Sequence, residues 1–333
     1  MEQDIQQTAR GFLRIVFIHL ALSMATVMAL RDAPLQFYRN MLNMPLFQLE
    51  VIMGFASFLL PLALLAIWFN RDRMNARYLS AVSQVLLGCL VMAFSFSSFK
   101  TTMPLILPYW SDPLFAGIDR ALHLGQDPWR LAYALLPSLP HGTVKMIYYD
   151  IWFVPAFFFP VFLLIIDRDP GRIARYLALW LAVWILLGNI LALAFLSTGP
   201  IYYQRLLGAD DFAGLEAAMA AAGMSGTLIG GLQDQMWTYL AESKQMQGPG
   251  ISAFPSVHVA LAALIAAYAL ERSRLAGLVV SAWAAAILFL SVWLGWHYAV
   301  DGYFSILFLA LLWRLRLRIP GRRAAIAAAS TPP

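Results

Sequence analysis

The chain has 333 residues, 61% of them hydrophobic and 12% charged, whereas soluble domains hold about 45–50% apolar residues. That balance excludes a water-soluble globular enzyme and predicts an all-α fold, a polytopic membrane helical bundle. The net charge of +5 does not point to nucleic acid, because the basic residues are not gathered with aromatics on a soluble domain, and the lone cysteine, Cys89, leaves no intrachain disulfide and no cysteine metal cluster.

A hydrocarbon core of about 30 Å takes roughly 20 apolar residues per helix. Apolar runs at about 12–30, 51–69, 78–98, 146–166, 175–197, 254–270, 275–296 and 298–313 predict about eight transmembrane helices. The first is read as a retained span, since Glu2 and Asp4 make its flank acidic and no small-residue cleavage site follows. Arginines choose the orientation. Arg10, Arg14, Arg71, Arg73, Arg77, Arg168, Arg172, Arg175, Arg272, Arg274 and the tail from Arg314 to Arg323 fall on one side, which the positive-inside rule makes cytoplasmic. The other side holds two longer loops, about 99–145 and 198–253.

Long loops have room for function. In the first, Leu114, Phe115, Ile118 and Leu122 share one helical face and Asp119, Arg120 and His123 another, which fits an interfacial helix resting on lipid or lining a substrate entrance. In the second, Phe212 to Ala222 and Met236 to Leu240 read as short helices, a lid or a plain connector. Trp110, Tyr148, Trp293 and Tyr303 read as belt residues near span ends, and His19 and Asn189 as helix-packing groups.

The chemistry gathers near the C-terminus. Gly250-Ile251-Ser252-Ala253-Phe254-Pro255-Ser256-Val257-His258 runs into an apolar stretch. Pro255 suits a first helical turn, where Ser256 and His258 would meet free N–H groups that favour an anion. Two crossings later comes Gly295-Trp296-His297-Tyr298-Ala299-Val300-Asp301. Parity returns His297 to the face of His258, and Asp301, four residues on, can hold one ring nitrogen and leave the other for a substrate. Ionisable groups at membrane depth are costly and mostly functional.

These residues resemble the type 2 phosphatidic acid phosphatase superfamily from about Lys100 to Asp301, in particular its branch similar to inositol phosphorylceramide synthases. Pro255 to His258 match the motif Pro-Ser-Gly-His with valine for glycine, and His297 and Asp301 match a histidine, three residues and an aspartate. The resemblance implies that His297 attacks phosphorus to form a phosphohistidine, Asp301 orients its ring, and His258 protonates the leaving oxygen and then activates the acceptor. It also implies a six-helix core within 77–314, flanked by N-terminal spans in 1–76 and a basic cytoplasmic tail, 315–333. Where the family has lysine, six residues and Arg-Pro, this chain has Lys100, six residues and Leu107-Pro108; where the third motif opens with Ser-Arg it reads Leu290-Ser291.

Both phosphate-gripping arginines are thus replaced, and Lys100 and Arg205 are the candidate cations, the latter following Gly199-Pro200-Ile201-Tyr202-Tyr203. Ser256, Tyr203 and Asp150 complete the expected substrate contacts, Asp150 as a headgroup ligand or a structural hydrogen-bonding group. The expected function is transfer of a phospho-headgroup between membrane lipids, with water or a polar headgroup as acceptor, no cofactor and no metal, at the periplasmic face of a bacterial inner membrane. Hydrolysis of a lipid phosphate is the alternative within the family. Outside it stand a metal protein using His258, His297 and Asp301 as ligands, and a non-catalytic lipid binder.

Overall fold

A computed structural model describes residues 2–41, 61, 64–73, 75–241 and 250–315. It is 81% helical, with no strand among the described residues. The principal helices are α1 (Glu2–Leu30), α2 (Ala76–Lys100), α3 (Asp112–Leu122), α4 (Pro128–Leu135), α5 (His141–Ile166), α6 (Pro170–Ala194), α7 (Pro200–Leu207), α8 (Ala213–Ala221), α9 (Leu228–Ala241), α10 (Val257–Arg272), α11 (Arg274–Trp293) and α12 (Ala299–Arg314).

Five of these, α1, α2, α5, α6 and α11, are long and apolar enough to cross a membrane. Leu22, Leu278 and Leu307 are 63, 65 and 70% exposed on α1, α11 and α12. Hydrocarbon is the solvent that suits such faces, so the chain is an integral membrane protein. Of the eight expected spans, α10 and α12 form but hold only 16 residues each, about 24 Å of helix. The run at 51–69 falls mostly outside the described residues.

Local sequence sets the turns. Asn75 Oδ1 accepts from the Tyr78 amide to start α2, and Asp169 Oδ1 accepts from Gly171 and Arg172 to start α6. Ser273 alone separates α10 from α11 and caps the latter, which forces two antiparallel neighbours. His19 on α1 bonds Ser95 on α2 at 2.8 Å and lies 2.9 Å from the Asn189 amide on α6, the packing role expected of both.

The two ends of the bundle differ. At the arginine-rich end Asp167 accepts from Arg172 at 2.6 Å and from the Tyr268 hydroxyl at 2.9 Å, and Arg175 pairs with Glu271. Burial opposes ionisation of Asp167, but these donors hold its carboxyl down at about 2. At the opposite end α3, α4, α7, α8 and α9 lie as short helices over the bundle and carry the loops that build a site.

Candidate active site

The helix at the second motif begins later than its proline suggests. Ser256 is the N-cap of α10, accepting from the Val259 amide, so Pro255 precedes the helix rather than opening it. This places His258 in the first turn. Its ring lies between Tyr148 and Trp152, with centroid separations of 5.0 and 3.8 Å and interplanar angles of 3° and 15°. Tyr148 belongs to a stretch of α5, Met146–Asp150, wound with the wider π spacing, and Trp152 follows one turn later. Such insertions frequently mark functional sites. The Trp152 indole also donates to the His258 carbonyl, at 3.0 Å, which holds the stack in place.

His297 is in the turn between α11 and α12, not on a helix. α12 starts at Ala299 with Tyr298 as N-cap, and Asp301 at the third helical position reaches back to accept from the Tyr298 amide at 3.0 Å. The same oxygen, Oδ2, lies 3.2 Å from His297 Nδ1. Since a carboxylate only accepts, Nδ1 carries the proton and Nε2 keeps its lone pair. The expected pair therefore forms, through a capping turn instead of a helical face. Burial and the nearby Lys100 ammonium push His297 down to about 3, against a hydrogen bond to the Ala253 backbone that acts the other way. At neutral pH the ring is uncharged, with the Nε2 lone pair free.

The sign of that shift fixes a pH response. The folded ring takes up its proton near 3 and the unfolded one near 6.5, so its contribution to stability is complete above pH 6.5 and is lost as pH falls towards 3. His297→Asn is expected to flatten the decline of the thermal midpoint between pH 6.5 and 4. Equal slopes for the two proteins in a pH series of detergent-solubilised melts would refute the assignment.

Two carboxylates outside the sequence motifs hold this turn. Asp119 on α3, 2% exposed, accepts from the Ala299 and Val300 amides at 2.8 Å each, the free N–H groups at the start of α12. Asp112, 1% exposed, accepts from the Thr198 and Gly199 amides and from the Tyr298 hydroxyl, all near 2.9 Å. Burial raises the pKa of both, against the pull of those donors. Gly199 is needed where it stands: its φ is +92°, and a Cβ would lie 2.5 Å from the Trp296 carbonyl oxygen. α3 is therefore a clamp on the His297 turn and does more than rest on lipid. Asp119→Asn replaces one acceptor by an NH2 facing an amide, and should cost about 2 kcal/mol of stability. A melt unchanged from wild type would count against the clamp.

His258 and His297 face one cavity of ≈ 130 Å³, their ring centroids 6.3 Å apart. Lys100, at the end of α2, lines the same space. A close backbone crossing brings it there: a Cβ on Gly250 would lie 2.6 Å from the Lys100 carbonyl oxygen. The Lys100 ammonium lies 5.6 Å over the Phe96 ring. Tyr149, Thr198 and Trp296 add to the wall, and Leu232 and Met236 of α9 close it. Gln233 anchors α9 by donating to the Leu294 carbonyl, and Tyr202 donates to the Gln233 carbonyl, both at 2.9 Å.

Other expected contacts lie elsewhere. Arg205 is bound by Glu216 at 2.7 Å and Asp234 at 3.0 Å, tying α7, α8 and α9 together, and does not line the cavity. Burial opposes its charge, but the two carboxylates raise its pKa above the ordinary value. Asp150 is taken by Lys145 at 2.6 Å, and Tyr203 is buried against Phe212. Ser256 serves as the cap. Tyr148 and Trp293 are buried and hydrogen-bonded or stacked inside the protein, and of the four expected belt residues Trp110 is 48% exposed. No group of three or more His, Cys, Asp or Glu side chains among the described residues is arranged to hold a metal ion.

Comparison with known proteins returned no significant match to a curated protein and none to a solved structure. A family profile does match, over residues 113–315, and takes in Asp119, His258, His297 and Asp301 while starting after Lys100. A match of that extent, over more than half of the chain, makes this protein a member of the PAP2 superfamily, whose type of function is that of a lipid phosphatase or phosphotransferase.

Proposed function

We propose that the protein moves a phospho-headgroup from one membrane lipid to another through a phosphohistidine on His297. In the first step His297 Nε2 attacks phosphorus; the P–N bond forms while the P–O bond to the lipid breaks, and the departing oxygen takes a proton from His258. In the second, an acceptor hydroxyl attacks the phosphohistidine, gives its proton to His258, and frees the His297 nitrogen. Asp301 keeps Nδ1 protonated and stabilises the ring as it gains charge. The observation that carries the reading is the meeting of two imidazoles, one oriented by a buried carboxylate, across a cavity whose one cation among the described residues is Lys100.

The charge balance favours a diester. A phosphodiester has one negative charge for one lysine, whereas a terminal phosphate has close to two and would be left undercompensated. Cavity size fits as well: ≈ 130 Å³ is well below the 300–1,000 Å³ of sites that enclose a whole drug-sized ligand, so a headgroup enters and the acyl chains stay in the bilayer. The arginine-rich end of the bundle marks the cytoplasm by the positive-inside rule, which turns the cavity to the exoplasmic side, the periplasm if the membrane is a bacterial inner one.

The deciding assay supplies purified enzyme with a phospholipid labelled in its headgroup phosphate and a diacylglycerol acceptor, followed by an alkaline quench. The expected result is a base-stable, acid-labile label on the peptide containing His297 and a labelled lipid product. Free phosphate from phosphatidic acid with no headgroup ever moved would establish the hydrolase alternative. Turnover abolished by EDTA and restored by a divalent metal, with no label on the peptide, would establish the metal reading.

A further inference from the structure

A second cavity, ≈ 310 Å³, shares no lining residue with the first. Its walls come from α4 (Leu131, Leu135), from α11 (Leu288, Phe289) and from the first turns of α12. One polar group marks one end. His123 Nδ1 is 2.7 Å from the Asp119 carbonyl, which only accepts, so Nδ1 holds the proton and Nε2, 3.1 Å away, accepts from the Tyr303 hydroxyl. Both polar groups thus spend their hydrogens on the protein, and the remaining surface is hydrocarbon.

We propose that this cavity binds a single acyl chain of a membrane phospholipid, as a structural lipid distinct from any substrate. The cavity opens to the outside between α4 and α11, and apolar surface left against water is costly, so an open apolar slot takes up apolar matter from its surroundings. Lipid chains are the apolar matter at hand, because the wall on α11 belongs to a helix long and apolar enough to span the membrane. Along that helix the lining runs from Ala285 to Val292, roughly 10 Å at 1.5 Å per residue, which is room for a segment of an extended acyl chain. Leu131 and Leu135 of α4 are 46 and 71% exposed beside it, which leaves the rim wetted by lipid. The occupant would press on α4 and α12 behind the His297 turn and support the α3 clamp from the outside.

The test uses the full chain in phosphatidylcholine vesicles doped with a phosphatidylcholine that carries a diazirine in one acyl chain. After irradiation, adducts are mapped by peptide mass spectrometry. Labelling is expected to concentrate on Leu131, Leu288 and Phe289 over Leu278 and Leu307, which face lipid freely. Even labelling across all five positions would overturn the proposal. Filling the slot with Ala285→Phe, or the milder Ala285→Leu if the first does not fold, should abolish adducts at Phe289 and leave those at Leu278 unchanged. Wild-type labelling of Phe289 in a folded filled variant would also overturn it. Because His297→Ala leaves this cavity intact, undiminished labelling in that variant separates this site from substrate binding.

Discussion

Replacing His297 by alanine is expected to reduce turnover of any lipid phosphate by a factor on the order of 10⁶, the scale seen when a covalent nucleophile is removed. The loss should fall on kcat. His297 is held by three separate contacts: Asp301 on Nδ1, its own amide on the Ser291 carbonyl at 3.2 Å, and the turn fixed by Asp119. With Tyr298 and Asp301 still making their capping contact, the variant keeps the turn and α12, so a near-normal melt alongside absent activity is the expected pair of results. His297→Ala that turns lipid over at the wild-type rate would end the covalent mechanism. His258→Ala distinguishes the two histidines: it should slow the formation of the phosphohistidine yet still allow trace label to accumulate on His297, because the nucleophile remains.

Lys100→Met should lower kcat/KM by about 10²–10³, the usual effect of removing one group that stabilises charge in a transition state. The side chain is nearly isosteric, so packing on Phe96 is kept and the change is one of charge. Among the described residues no second cation is placed to compensate, since Arg205 is bound by Glu216 and Asp234 and does not line the cavity. Lys100→Arg is expected to recover part of the loss, with its wider fork crowding a cavity of ≈ 130 Å³. The measurement is a comparison of kcat and KM for a phosphodiester lipid in the three proteins. If the methionine variant matches wild type, phosphate is gripped elsewhere, and the argument from charge for a diester substrate goes with it.

Much of the architecture was legible from residues in line. Apolar runs located the helices because a bilayer of fixed thickness sets their length, and arginine asymmetry together with crossing parity put His258 and His297 at one end of the bundle. The cavity they share agrees with that inference. The family resemblance offered Lys100 and Arg205 as candidate cations, and of the two Lys100 lines the cavity. The boundaries were less legible: Pro255 looked like a first turn, but Ser256 caps α10, and His297 looked helical, but Tyr298 caps α12. A capping hydrogen bond decides a helix start, and the residue types alone allow either register.

By itself the sequence determined that this chain lives in a membrane, where its long apolar helices lie, and which two imidazoles and one carboxylate share a face, because hydrophobic length and the spacing of a motif are properties of neighbouring residues. Only the tertiary structure decided that Asp112 and Asp119 clamp the His297 turn from 180 or so residues away, that Tyr148 and Trp152 sandwich His258, and that Arg205 and Asp150 are already spent on other partners. A buried polar group must find its partner, and which one it finds depends on packing between helices distant in sequence, which no local pattern records.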